Sequence, residues 1–262
     1  MSYKVGFIGA GNMGGALAKA AAKSTNDIAV ADNDTKKAEI LAKELKTKNT
    51  DNKDIAKNAK YIFLGVKPQV LPSLMQEIVP ILKARKDDFV LVTMAAGKAI
   101  AEVEAMAGEK YPVIRIMPNM PVSVGKGMIL YCGNELVSDF SEFTDLMKYA
   151  GTLDNIPEKL IDAACSITAC GPAFVFMFIE SLADGGVECG IPRDKAIKYA
   201  CETLIGSAEL VNLSGKHPEE LKDAVCSPAG TTIAGVHALE NKGFRGASAD
   251  AVKAAYEKTL KM

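Results

Sequence analysis

The run Val5-Gly6-Phe7-Ile8-Gly9-Ala10-Gly11-Asn12-Met13-Gly14 restricts the fold of this chain more than any other stretch. An apolar strand pattern over 3–8 is followed at once by G-x-G-x-x-G, as Gly9, Gly11 and Gly14, and then by a helical pattern over 12–23. The spacing alone is a weak signal; its position between a strand and a helix gives it meaning. Gly9 permits a tight turn, Gly11 lets a pyrophosphate approach the backbone, and Gly14 lets the helix sit close to the sheet. The free N–H groups at the helix start then face the phosphates. A tight turn without a ligand is the alternative; the strand–loop–helix order favours a dinucleotide, held by Ile8, Gly9, Ala10, Gly11, Asn12, Met13 and Gly14.

The alternation continues. Strand patterns recur over 28–31, 61–66, 89–93, 113–117 and 128–132. Helical patterns lie between them over 35–45, 71–82, 99–106 and 140–149. Short apolar strands alternating with helices predict an α/β fold with a Rossmann-like, doubly wound parallel sheet. After Asn155-Ile156-Pro157 the strand signal stops. Helices are expected over 158–167, 173–189, 193–213, 218–225, 232–241 and 247–260, several opened by Pro172, Pro192 or Pro218, where a missing N–H costs least. The expected division is a dinucleotide-binding domain over 1–155 and an all-α domain over 156–262. Ala173-Phe174-Val175-Phe176-Met177-Phe178-Ile179 is apolar on every helical face, so it must be buried all round. A small helical domain can hardly surround it alone, which predicts a subunit interface.

Composition excludes several classes. Lys plus Arg total 31 and Asp plus Glu 32, a net charge of −1, without the basic surplus a nucleic-acid binder needs. The cysteines form no C-x-x-C and the only histidines are His217 and His237, so no metal site is expected. Cysteines in apolar helical surroundings read as reduced thiols in a cytoplasmic protein. The longest unbroken apolar run, over 173–179, falls far short of the roughly 20 residues of a membrane span, so no membrane association is expected.

In doubly wound sheets, ligands sit at the carboxyl ends of strands. Asp32 ends the second strand, with Asn33 beside it. An acid there bonds the ribose hydroxyls of NADH and repels a 2′-phosphate, while Asp34, Lys36 and Lys37 blur the choice. Gly65-Val66-Lys67-Pro68, Met94-Ala95-Ala96-Gly97 and Met117-Pro118-Asn119 end three further strands. Each alone reads as turn chemistry; together above a glycine loop they favour a nicotinamide pocket. In the helical half, Cys226-Ser227-Pro228-Ala229-Gly230-Thr231-Thr232-Ile233 places backbone N–H groups at a helix start. That is either a carboxylate site or plain capping by Ser227 or Thr231.

The chain resembles the pyrroline-5-carboxylate reductase family over essentially its whole length. The resemblance rests on Gly6 to Gly14, Val66-Lys67-Pro68-Gln69, Ala95-Ala96-Gly97, Arg115-Ile116-Met117-Pro118-Asn119, Cys170-Gly171-Pro172-Ala173-Phe174 and above all Ser227 through Gly235. It implies NADH- or NADPH-dependent reduction of the C=N bond of 1-pyrroline-5-carboxylate to L-proline. It also implies that Asn52 reaches the adenosine end, and that Val66, Lys67, Pro68, Ala95 and Ala96 approach the nicotinamide. Ser227 and the backbone of Ala229, Gly230, Thr231 and Thr232 would hold the substrate carboxylate. The Thr232 hydroxyl would stand near the imine nitrogen, and Glu158 would approach the substrate. The family dimerises through interlocked helical domains, so a homodimer, or a larger oligomer of dimers, is expected. Ala229 stands where the family usually has Gly, and is strained if the position needs a positive φ; Cys170 stands where Ser is common.

Hydride addition to C=N is easier at a protonated nitrogen, and solvent can supply that proton. No strong general acid is then required, and most of the rate comes from orientation. Two rivals stand beside this reading. One is a hydroxy-acid dehydrogenase of similar build, which would need a lysine or histidine acid/base such as Lys195, Lys198 or Lys222. The other is a non-catalytic nucleotide sensor.

Overall fold

The computed structural model describes residues 2–261. Its first half is an eight-stranded sheet in the order β3-β2-β1-β4-β5-β6-β7-β8. The strands are β1 (Tyr3–Ile8), β2 (Ile28–Ala31), β3 (Lys48–Asn49), β4 (Ala59–Leu64), β5 (Val90–Thr93), β6 (Val113–Met117), β7 (Gly127–Gly133) and β8 (Gly151–Asn155). All neighbours are parallel except β6 and β7. The connecting helices are α1 (Asn12–Ala21), α2 (Thr35–Leu45), α3 (Asn52–Asn58), α4 (Leu71–Lys83), α5 (Ile100–Ala107) and α6 (Ser141–Met147).

The strands are apolar without a polar face because both sides of a parallel sheet are covered. Adjacent residues feed opposite cores. Ile8, Ile62 and Leu64 join one cluster with Met75 and Ile78 of α4. Phe7, Tyr61 and Phe63 join the other with Leu17 of α1 and Phe143 of α6. The chain reverses its winding at β1, which lies between β2 and β4. That is the switch point where a doubly wound sheet opens a crevice.

The helical half comprises α7 (Glu158–Thr168), α8 (Gly171–Glu188), α9 (Arg193–Ser214), α10 (Pro218–Val225), α11 (Thr231–Asn241) and α12 (Phe244–Thr259). The chain forms two compact units: one runs to Ala169 and takes in Tyr256 onward, the other is Cys170–Ala255. The sequence placed the division after residue 155. The structure differs because Ile161 of α7 is fully buried in the same cluster as Leu130 and Cys132 of β7, so α7 belongs with the sheet.

Two strands escaped the sequence reading. β3 has two residues, and β8 carries Thr152, Asp154 and Asn155 exposed at the sheet edge. The strand expected over 61–66 ends at Leu64, which frees Gly65 and Val66 for the loop beyond. Among the described residues, one stretch, Glu158–Glu188, spanning α7 and α8, is long and apolar enough to cross a membrane by length and composition, with mean hydropathy 1.6 and 17% of its apolar window buried. The unbroken run over 173–179 gave no such signal.

Candidate active site

A cleft of about 930 Å³ opens above the switch point. Ile8, Gly9, Ala10, Gly11, Asn12, Met13 and Gly14 form its floor. Asp32, Asn33 and Asn52 lie along it, as do Gly65, Val66, Lys67, Pro68 and Ala96. The glycines are required by close contacts. A Cβ on Gly14 would lie 2.1 Å from Gly9 O, and one on Gly9, at φ +113°, 2.5 Å from Gly65 O. Gly11 faces open space within 4 Å, where an added side chain would intrude on a ligand. The N-terminus of α1 has no side-chain cap and no acid in its first turn. Its first N–H groups are therefore available to an anion. These features fit a dinucleotide, with the pyrophosphate at the helix end.

Asp32 is fixed by the loop it faces. Its Oδ2 accepts from Ala10 N at 2.7 Å and its Oδ1 from Asp34 N at 2.8 Å. Lys37 also lines the cleft, with its Nζ 3.5 Å from Asp34 Oδ2. At the far end stand Met94, Met117 and Pro118.

Two residues expected at the cofactor lie outside the lining. Ala95 is buried under the loop, 2% exposed. Asn119 is 8% exposed, and both ends of its amide are spent: Nδ2 donates to Thr168 O at 2.8 Å and Oδ1 accepts from Met128 N at 2.9 Å. It ties the loop after β6 to α7 and β7, and so positions Pro118 rather than facing a ligand. Glu158 is likewise engaged. Its Oε1 accepts from Ile100 N at 2.7 Å and from the buried Arg115 Nη1 at 3.3 Å, while Arg115 Nη2 pairs with Asp162 at 2.6 Å. This ion pair joins β6 to the start of α7. Beside it, burial pushes the Cys132 thiol up to about 11, and the nearby Glu158 charge adds to the shift.

Lys37, Val70, Ser73, Leu74 and Glu77 line the cleft too. The last four were not singled out from sequence, although their i, i+3, i+4, i+7 spacing is a legible stripe of one helix.

In the helical unit, the cap of α11 is Gly230 at φ −80°, with no side-chain hydrogen bond and no acid in the first turn. Neither Ser227 nor Thr231 caps the helix, so the first-turn N–H groups remain for a ligand. Ser227 is nonetheless at hand: a Cβ on Gly230 would lie 2.3 Å from its Oγ. Ala229 adopts φ +57°, the left-handed region that the sequence comparison made conditional. Ser227, Ala229, Thr231 and Thr232 are all exposed. A groove of about 520 Å³ beside the loop is lined by Lys222, Ala229, Gly230, Ile233, His237 and neighbours. His217 caps α10, its Nδ1 accepting from Glu219 N at 3.2 Å.

Residues 158–262 match the family model for pyrroline-5-carboxylate reductase dimerisation, and residues 4–97 match that for NADP oxidoreductase, coenzyme F420-dependent. The chain is 36% identical to pyrroline-5-carboxylate reductase of Pisum sativum, over all of this chain and 96% of that protein. It is 36% identical to that of Escherichia coli K12, over all of this chain and 99% of the relative. The chain belongs to the pyrroline-5-carboxylate reductase family. Its fold agrees: the Plasmodium falciparum pyrroline carboxylate reductase with NADP bound superposes with a TM-score of 0.86 at 32% identity, covering 98% of this chain and 97% of that one. The Streptococcus pyogenes 1-pyrroline-5-carboxylate reductase gives a TM-score of 0.88 at 28% identity, covering 98% of each.

Proposed function

We propose that this chain reduces 1-pyrroline-5-carboxylate to L-proline with a nicotinamide cofactor. The observation that carries the reading is a pair of uncapped helix N-termini. The end of α1 lies in a glycine cleft sized for a dinucleotide, and the end of α11 follows a Ser-Pro-Ala-Gly-Thr-Thr loop suited to a carboxylate. The cofactor, when bound, supplies a hydride from C4 of its dihydronicotinamide. In the reaction that hydride goes to the ring carbon of C=N, and the nitrogen keeps a proton taken from solvent. Met94, Ala96, Met117 and Pro118 shape the nicotinamide end. Backbone N–H groups of Thr231 and Thr232, with Ser227, hold the substrate carboxylate, while the Gly230 N–H closes the loop on Ser227 O at 3.0 Å; the Thr232 hydroxyl orients the imine. Glu158 serves through Arg115, by placing α7 and α5. The hydroxy-acid alternative is not favoured: Lys195 and Lys198 are exposed on α9 and line neither cleft, and Lys222, which lines the groove beside the loop, is held in ion pairs with Glu219 at 2.8 Å and Asp223 at 3.1 Å.

Asp32 favours NADH. Two backbone N–H groups hold its carboxylate in the cleft, where a 2′-phosphate would meet a fixed negative charge. The apolar faces of α7 and α8 are covered by a second copy of the chain rather than by lipid. Glu180, Asp184 and Glu188 on α8 would be costly in hydrocarbon. The free thiols of Cys132, Cys170, Cys189, Cys201 and Cys226 suit a reducing, cytoplasmic location, and the near-neutral charge suits a small anionic substrate rather than nucleic acid. The test is cofactor oxidation with and without 1-pyrroline-5-carboxylate, for the wild type and Asp32→Ser. Substrate-dependent turnover is expected, and the variant should raise the NADPH-to-NADH efficiency ratio about tenfold. No turnover with either cofactor sinks the activity; an unchanged ratio removes Asp32 as the selector.

A further inference from the structure

One wall of the cleft has a chemistry that the reaction does not explain. Ser73, Leu74 and Glu77 of α4 and Val70, which caps that helix, line it as one stripe, and Asn52, the first residue of α3, completes it by donating from Nδ2 to Glu77 Oε2 at 3.0 Å. The topology gives this wall to the base. A bound pyrophosphate would take the start of α1, above β1. The nicotinamide would then point beyond β5 and β6, where Ala96, Met117 and Pro118 stand. The adenosine therefore runs the other way, past Asp32 at the end of β2, toward α3 and the part of α4 that reaches it.

Val70, backed by the buried Leu74, offers apolar surface to a flat ring. The polar groups beside them on α4 are acceptors, and Asn52 keeps one amide proton beyond the one given to Glu77. Ser73 donates its only hydroxyl proton to Val70 O at 2.8 Å, so lone pairs are what it has left to present. An ionised Glu77 has no proton to give, and Asn52 engages only one of its oxygens. Such an edge matches an exocyclic amine, whereas a 6-oxo purine sets a carbonyl against the same oxygens and can engage them only by turning its ring N–H toward them. We propose that Glu77, assisted by Ser73, reads the 6-amino group of the cofactor's adenine and selects it over a 6-oxo purine. The inference rests on the reading of the cleft as a dinucleotide site.

The test compares NADH with reduced nicotinamide hypoxanthine dinucleotide, and the 2′-phosphates of both, by calorimetric binding titration and by substrate-dependent oxidation. Glu77 is exposed, so water competes for its oxygens and the expected preference is moderate: KM about tenfold lower for the adenine form in the wild type. Glu77→Gln presents an N–H as well as a carbonyl. It should bring the ratio under about threefold, with the change carried by KM rather than kcat. Ser73→Ala should shift the ratio less, in the same direction. Equal KM values in the wild type, or a ratio unmoved by Glu77→Gln, overturn the base assignment and leave the dinucleotide site standing. If none of the four cofactors is oxidised or bound, the reading of the cleft fails and the assignment fails with it.

Discussion

Phe63 on β4 is 0% exposed, with Phe7 at 4.5 Å and Phe143 at 6.5 Å between ring centroids. Phe176 on α8 is 53% exposed, and its neighbour Met177 68%. The same contrast separates the two units. The sheet unit buries Val, Ile, Leu and Phe on both faces. Within Cys170–Ala255 the buried hydrophobic residues are Ala183, Ala196 and Ala200. Fully burying a Leu or Phe side chain is worth about 1.5–3 kcal/mol; burying a methyl group yields far less. In proteins most helical stability comes from packing an apolar face. The sheet unit completes its core within one chain, whereas the helical unit leaves its large apolar side chains uncovered and matches a dimerisation family, so self-association is what would complete its core.

The strongest way to break this contrast is a charge on α8. Met177→Glu places a carboxylate where the interface would be desolvated, at a cost of about 3–5 kcal/mol per unpaired buried charge. Sedimentation should show loss of the dimer, and the helical unit should melt earlier and at a temperature that falls on dilution. The sheet unit should still bind NADH. A variant that remains dimeric, with an unchanged melt, would show that this face of α8 is not where copies meet.

The contrast also explains what could be read from sequence. In the sheet unit, local pattern and tertiary environment agree, since parallel strands buried on both faces are short apolar runs and the glycine loop is tied to one place in such a fold. What escaped there was set by partners distant in sequence. β8 is a polar edge strand recognisable only by its pairing with β7. α3 is a short helix announced only by Asp51, whose Oδ1 accepts from Asp54 N at 2.7 Å. Asn119 sits in a loop that looks ligand-facing, yet its amide is consumed by Thr168 and Met128. In the helical unit, the stretch read as apolar on every face of α8 leaves Val175, Phe176 and Met177 exposed in the single chain. The sequence left open whether Ser227 or Thr231 caps α11, because capping and ligand binding use the same residue types.

Two substitutions sharpen the division of labour. Gly14→Ala puts a methyl group against Gly9 O, and overpacking of about 1–3 kcal/mol should weaken cofactor binding about fivefold to a hundredfold. Dimerisation should be unaffected. Thr232→Ala removes one orienting hydrogen bond, so turnover should fall about fivefold to tenfold while the affinity for NADH holds. Calorimetric titration with NADH and steady-state kinetics separate the two. If NADH affinity collapses in Thr232→Ala while turnover per bound complex survives, the role given to Thr232 is wrong.

Ala229→Gly is the smallest change and bears on the loop alone. At φ +57° the left-handed backbone costs an L-residue about 1–2 kcal/mol, and glycine relieves that. Glycine also adds freedom to the unfolded chain, which opposes folding by about 0.4–1 kcal/mol. The two effects partly cancel, so the helical unit should gain only about 0.5 kcal/mol, seen as a slight rise in its melting temperature. A loss of stability instead would mean that the Ala229 methyl group makes contacts in the assembled dimer worth more than the strain it carries. Loop and interface would then be one packed structure, rather than a substrate loop beside a dimer face.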